Sequence, residues 1–480
     1  MTVTSGQPAP REDDWDVIVV GAGGAGLSAA IAAAEAGGRV IVLESEAEIG
    51  GSTTLSAGMF TAAGTSVQSA LGIADSPAAY FQHYMDLNQW RLRPGLVRSF
   101  CERSRDTFEW LLGLGLEVPA QRSTNAHMPG LARAGVEDVW RGHVPAGEGY
   151  GLVQVLDAAR REHGVEVVLR TRVERLVVEE GRVCGVVADG LPLRAPATVV
   201  ASGGLTRSPE LVERYYPDAV LAGDDLFVVS APGSRGDHIG FGEQVDGALA
   251  GEGWGLLLVT AYFQRFHHWQ SGFPPRARIL VDGSGRRFMD EDASYAVAAG
   301  IVADHGGAAW MLFDERGRQS LAPGYPHWSP DNVAREAESG RTHRADTVRE
   351  LAGRIGADPD VLEATVERWN AHLPHGRDPD FLRHESLSAK GAPPPAPIAQ
   401  SPFYAVRCRP AELAVSHTGL LIDQDARVLD VRERVVPGLY AAGESCGGIL
   451  GNRYVGGGTA IANALVNGRS AGTAAVRDVT

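Results

Sequence analysis

Lysine is almost missing from this chain: of 44 basic residues, all but Lys390 are arginine. That bias reads as codon usage and points to no function. Cysteine is scarce as well. Cys101, Cys184, Cys408 and Cys446 stand far apart, with no C-x-x-C pair, no zinc spacing and no haem-attachment motif. Reduced thiols and a cytoplasmic setting are therefore expected. Positive charge is in deficit, and a formal net charge of −15 argues against nucleic acid or an anionic membrane as partner, because both reward a basic face. No apolar run reaches membrane-spanning length. The opening "MTVTSGQPAPREDDWD" is polar and acidic and lacks the apolar core of a secretory signal; residues 1–13 are expected to be flexible.

What is present is glycine, 60 residues of it, in a chain whose 44% hydrophobic and 21% charged residues are those of an ordinary globular protein. A length of 480 residues predicts two or three lobes. The glycines concentrate meaning near the start. In "WDVIVVGAGGAGLSAAIAAAEAGGRVIVLESE" a buried strand, Val17 to Val20, runs into Gly21, Gly23 and Gly26 in G-x-G-x-x-G spacing, and an alanine-rich helix follows. A second strand, Val40 to Leu43, ends on Glu44. Strand, helix and terminal acid together predict a dinucleotide fold. The glycines, with Gly24 and Ala25 between them, let backbone approach a pyrophosphate at the helix N-terminus, and Glu44 and Ser45 face a ribose.

The segment "IGGSTTLSAGMF" favours FAD over NAD. Gly51, Ser52, Thr53, Ala57 and Gly58 lie where a pyrophosphate and ribityl chain pass, a pattern that resembles flavoproteins. "ATVVASGG", with Ala201, Ser202 and Gly203, and "PGLYAAGES", with Gly443 and Glu444, match two further places where such folds close on FAD. The start of the last helix adds Thr459, Ala460 and Ile461. No histidine stands beside "GGSTTLSAG", so the FAD is expected to be non-covalent. No second nucleotide fingerprint is seen, so the electron acceptor is another, unidentified partner. "VERLVVEEGRVCGVVA" alternates in strand period and predicts a hairpin at "EEGR".

FAD signals at both ends frame a different middle. The expected fold is α/β: a Rossmann-like FAD-binding domain, residues 14–261 and 415–480, interrupted by an α+β capping domain, residues 262–414. Helical spacing in "TVRELAGRIGADPDVLEATVERWNAHL" predicts two helices, the second starting at Asp358 or Pro359. "KGAPPPAPIAQSPF" predicts a proline-rich return loop. In "RFHHW", His267 and His268 are expected to point apart with no carboxylate spaced for them, so no metal site is predicted and an aromatic cap surface is.

Over roughly residues 14 to 475 the chain resembles the fumarate reductase flavoprotein superfamily, on the FAD motif, "GRRFMDE", "SHTGLLID", "GLYAAGE" and "GGGTAIANALVNGRSAG". The resemblance implies substrate held between cap and flavin, hydride transfer to flavin N5, and a proton moved on the neighbouring carbon. It also implies that Val173 meets adenine through its backbone, and that Asp290 and Glu291 hold the seam between cap and FAD domain. The fumarate branch has an arginine acid where this chain has Tyr295. It reads N-R-L-G-G where this chain has "NRYVGGG", which sets Val455, not Arg453, at the carboxylate-binding arginine. The 3-ketosteroid Δ1-dehydrogenase branch is closer in these places. It has a tyrosine matching Tyr295 and Y-P-G-A-G matching Tyr454 to Gly458, although its third tyrosine, expected near "LEVPAQRSTNAHMPG", has no counterpart.

By that resemblance Tyr295 takes an α-proton, while Tyr454 and the Gly458 N–H hold the ketone oxygen as it becomes an enolate. Each residue has a plainer reading: Tyr295 as a cap core aromatic, Tyr454 as a ring packed under the flavin. His417 either binds substrate, lies near the flavin or sits in a turn. Arg453 binds a substrate carboxylate, rests on the FAD edge or pairs with a surface acid. The expected activity is dehydrogenation of a cyclic ketone, steroid-like ketone or cyclic keto acid to its α,β-unsaturated product. Its rivals are a reductase of an activated double bond and a non-catalytic flavin electron carrier.

Overall fold

The computed structural model describes residues 15–123, 127–133, 139–376, 378–383 and 395–479, apart from the side chain of Ala296. The expected flexible N-terminus, Lys390 and the first part of the proline-rich loop lie outside them. A six-stranded sheet runs in the order Arg427–Leu429, Val435–Ala441, Ala197–Val200, Val17–Val20, Val40–Leu43, Glu166–Val168. All neighbours pair in parallel except the first two, which are antiparallel. The first two predicted strands have the predicted bounds. Both are buried along their whole length, as unbroken Val/Ile/Leu runs require in a parallel sheet covered on both faces.

Helix Gly24–Glu35 is buried through Ala33 and packs along the C-terminal helix Thr459–Arg477. Small residues permit that approach. A Cβ on Gly472 would stand 2.0 Å from the Ala29 carbonyl oxygen, and one on Gly468 2.4 Å from that of Ala25. The last helix therefore lies against the nucleotide-binding helix, and its N-terminus is brought to the same side of the sheet as the glycine loop. The predicted hairpin forms, Val173–Glu179 pairing with Arg182–Ala188.

The second large sheet centres on the long strand Phe403–Ser416, which pairs with Phe227–Val228, Gly255–Ala261, Ala309–Asp314 and His343–Ala345. It draws on strands before residue 262, and its central strand runs past residue 414. The chain thus enters and leaves the cap by adjacent antiparallel strands. Helices Val348–Ile355 and Pro359–His372 form as predicted, with the Asp358 carboxylate accepting from the Asp360 and Val361 N–H groups at 2.9 and 3.3 Å. Glu291 departs from its expected place. Its carboxylate accepts from Arg287 at 2.8 Å and from the Leu280 N–H at 3.1 Å, so it binds the cap's own core and not the seam. Among the described residues no helix is long and apolar enough to cross a membrane.

Candidate active site

One long cavity runs from the glycine loop to the cap. Of the residues predicted to meet FAD, all but Gly26 and Thr459 line it. Gly26 acts from behind: a Cβ there would stand 1.8 Å from the Gly21 carbonyl oxygen, so glycine lets the helix close onto the turn. Gly21 has φ +101, and a Cβ on it would come within 2.4 Å of the Ala201 oxygen. Thr459 donates its hydroxyl at 2.8 Å to the Gly456 carbonyl and thereby braces the glycine run.

Glu44 is buried, and its carboxylate accepts the N–H groups of Ala22 at 2.6 Å and Glu46 at 2.9 Å. Its oxygens hold the loop, and the residue lines the cavity where a ribose acceptor is expected. Glu444 lies farther along. Burial pushes its carboxyl up to about 7, against the opposing Ser416 N–H, which donates to it at 3.1 Å. Two helix N-termini, at Gly24 and Thr459, and this acceptor set fit a dinucleotide with a pyrophosphate and a ribityl chain. Glu44→Arg is expected to abolish most FAD retention, because the arginine replaces acceptors with donors and leaves the Ala22 N–H unpaired. The check is the ratio of flavin to protein absorbance in the purified variant, with Glu44→Gln as the milder control. An unchanged ratio would remove Glu44 from the ribose.

At the cap end, Tyr295 begins helix Tyr295–Asp304 and Tyr454 lies in the loop before the last helix. Their ring centroids are 6.3 Å apart, and both line the cavity with Gly457 and Gly458. The Ala460 N–H donates to the Tyr454 hydroxyl oxygen at 2.9 Å. That bond occupies one lone pair, so the phenol's own hydrogen is free for another acceptor. Burial raises the Tyr454 phenol above its ordinary range, opposed by the Ala460 contact, and burial with the neighbouring Tyr454 raises Tyr295 well above it. Both are neutral hydroxyls at neutral pH. Tyr454 also packs with Leu256, Leu258 and Leu450, so its ring is core while its hydroxyl belongs to the site.

His417 and Arg453 do not line the cavity. His417 is buried behind Tyr454, ring centroids 6.1 Å apart, with Nδ1 2.6 Å from the Gly451 carbonyl oxygen. Burial pulls its imidazole down to about 4, so it is neutral, and among the described residues its Nε2 has no hydrogen-bond partner. Arg453 is exposed, and its side chain donates to the Asn452 carbonyl at 3.0 Å. A turn at Gly451 carries the arginine away from the cavity as it sends Tyr454 inward.

The two histidines of "RFHHW" do not point apart. Their ring centroids are 4.4 Å from each other, and both rings face Glu412, from strand Phe403–Ser416. Both line the cavity with Trp269. Nothing local could have revealed the carboxylate, because it lies on a strand far along the chain. Arg133, Arg172 and Asp237 are further lining residues without a sequence signal.

The FAD binding domain family matches residues 16–461 of this chain. The chain is 32% identical over 477 residues to a fumarate reductase (cytochrome) of Shewanella frigidimarina, a match covering 97% of this chain and 77% of that one. It is 27% identical over 557 residues to a 3-oxosteroid 1-dehydrogenase of Mycobacterium tuberculosis, covering 95% and 96%. Among solved structures, a 3-ketosteroid-delta4-(5alpha)-dehydrogenase from Rhodococcus jostii superposes with a TM-score of 0.80 at 26% identity, covering 98% of this chain and 99% of that one. With a cavity built for FAD and a match running almost end to end, the chain belongs to the FAD binding domain family and is an FAD-dependent oxidoreductase of the fumarate reductase and steroid dehydrogenase group.

Proposed function

We propose that this protein is a dehydrogenase that forms a C=C bond α,β to a ketone in a cyclic or steroid-like substrate or a cyclic keto acid. The observation that carries this reading is the Tyr295–Tyr454 pair, two phenols facing one cavity beside the N-terminus of helix Thr459–Arg477. Removing a proton next to a ketone requires the oxygen to take up charge. A phenol polarised by the Ala460 N–H is a donor suited to that oxygen. Leu256 and Tyr454 give the cavity an apolar wall, which suits a ring and excludes water. Bound FAD supplies the hydride acceptor. The FAD is held without a covalent link in a cytoplasmic setting, a reading supported by four cysteines that stand outside any disulfide. We also place the cap between the paired strands Gly255–Ala261 and Phe403–Ser416, a boundary that follows their pairing.

A second reading runs the same residues backwards, as reduction of an activated double bond. The raised phenols favour it, since a neutral Tyr295 is ready to give a proton to the α-carbon. One anaerobic experiment separates the readings. Oxidised holoenzyme is mixed with a panel of cyclic ketones and keto acids, and reduced holoenzyme with enones and unsaturated acids, while flavin colour is followed. Bleaching by a saturated ketone is the expected result. Colour returning with enones or unsaturated acids, and no bleaching by any ketone, would assign the reductase direction. No response to either panel would leave an electron carrier.

A further inference from the structure

Two imidazoles and a carboxylate beside the tyrosine pair have no part in the chemistry above. Glu412 is fully buried, and among the described residues no arginine or lysine pairs with it. Its Oε1 lies 3.1 Å from His267 Nδ1 and 3.4 Å from His268 Nδ1, and accepts the His268 backbone N–H at 3.3 Å. Among the described residues its Oε2 has no hydrogen-bond partner. A buried carboxylate so placed gains from a positive neighbour. The His268 and Tyr295 ring centroids are 6.0 Å apart, so His268, Tyr295 and Tyr454 form a chain of neighbours along the cavity, with Glu412 buried behind His268. Nδ1 of His268 faces the carboxylate and the residue lines the cavity, so Nε2 is the nitrogen that Glu412 does not engage.

We propose that His268, positioned by Glu412, takes the proton of Tyr295 and so turns the buried phenol into a base. The proposal rests on the ketone-dehydrogenase reading and answers its main difficulty, that burial opposes loss of the Tyr295 proton. The Tyr295 O–H bond breaks and the proton joins His268 Nε2. The resulting imidazolium faces the Glu412 carboxylate. The phenolate then takes the substrate's α-proton, and bound FAD would supply the acceptor for the β-hydride, so protons and electrons balance. His268, with a side chain 35% exposed, returns its proton to solvent. Burial, with His268 beside it, holds His267 well below its ordinary range. The titratable groups facing His268 are Glu412, His267 and Tyr295.

The test uses holoenzyme and a ketone that bleaches the wild-type flavin. His268→Ala is expected to slow flavin reduction by about 10²-fold, with partial recovery on adding imidazole. His268→Gln serves if the alanine variant fails to fold. Glu412→Gln slows reduction less, and moves the rising limb of the rate–pH profile to lower pH, because an amide no longer favours the imidazolium. The His268 ring followed by NMR titrates at lower pH in the same variant, a readout independent of turnover. No rescue, with an unmoved profile and an unmoved titration, would overturn the relay. If Tyr295→Phe is slow while both His268 variants reduce at the wild-type rate, the relay alone fails; if Tyr295→Phe itself is fast, the dehydrogenase reading fails. A stoichiometric divalent metal in the holoenzyme, lost in His267→Ala, would make the cluster a ligand set and also overturn the relay.

Discussion

Tyr295→Phe is expected to retain FAD and bind ketone nearly as the wild type does, yet to reduce its flavin about 10²–10⁴-fold more slowly, the usual cost of losing a proton-transfer group. The substitution removes one oxygen and keeps the ring, so the contacts with Tyr454 and His268 that order the helix start are preserved. Burial raises the Tyr295 phenol, and the wild-type rate is therefore expected to climb with pH across the neutral range, as the unprotonated fraction of the base grows. The variant's profile loses that climb. Stopped-flow flavin reduction across pH, with the visible spectrum confirming bound FAD, is the measurement. Wild-type rates in the variant would return Tyr295 to the cap core, where it already touches apolar neighbours.

Tyr454→Phe is expected to lower the rate of flavin reduction by about 10²–10³-fold, the loss found when one donor to a developing oxyanion is removed. Because the enolate gains more from that donor than the neutral ketone does, the rate falls more than binding weakens. A second consequence is specific to this residue. The Ala460 N–H, which donates to the phenol oxygen at 2.9 Å, loses its acceptor at the head of the last helix. An unsatisfied donor costs about 1–3 kcal/mol when buried and less where the cavity is wet, so a modest fall in melting temperature accompanies the kinetic loss. Apo and holo melting curves separate that structural part from the catalytic one. An unchanged reduction rate with a lowered melting temperature would mean that the hydroxyl only braces the helix.

The nucleotide-binding half of this protein was legible because its chemistry is local. Gly21, Gly26 and Glu44 belong to one strand–turn–helix–strand unit, where spacing alone sets where the glycine turn and the carboxylate lie. The same holds for helix Pro359–His372, whose aspartate cap and apolar period are readable within a dozen residues. Glycines in the last helix were a weaker signal. Only packing revealed that Gly468 and Gly472 admit the carbonyl oxygens of Ala25 and Ala29.

The sequence by itself determined that the chain carries a Rossmann-like FAD site at both ends around an inserted cap, because short-range patterns encode strands, caps and phosphate loops. Tertiary structure decided the rest of the site. It turned Arg453 to the surface and sent Tyr454 inward, since the turn at Gly451 just before them has no side-chain period to read. It put Glu291 in the cap's own core, because its arginine and backbone partners all belong to the cap. It brought His267 and His268 onto Glu412, because the strand Gly255–Ala261 that leads to the histidines pairs with Phe403–Ser416, which carries the carboxylate. Contacts made across a sheet depend on register between distant segments, and register is fixed by the packing of the whole cap.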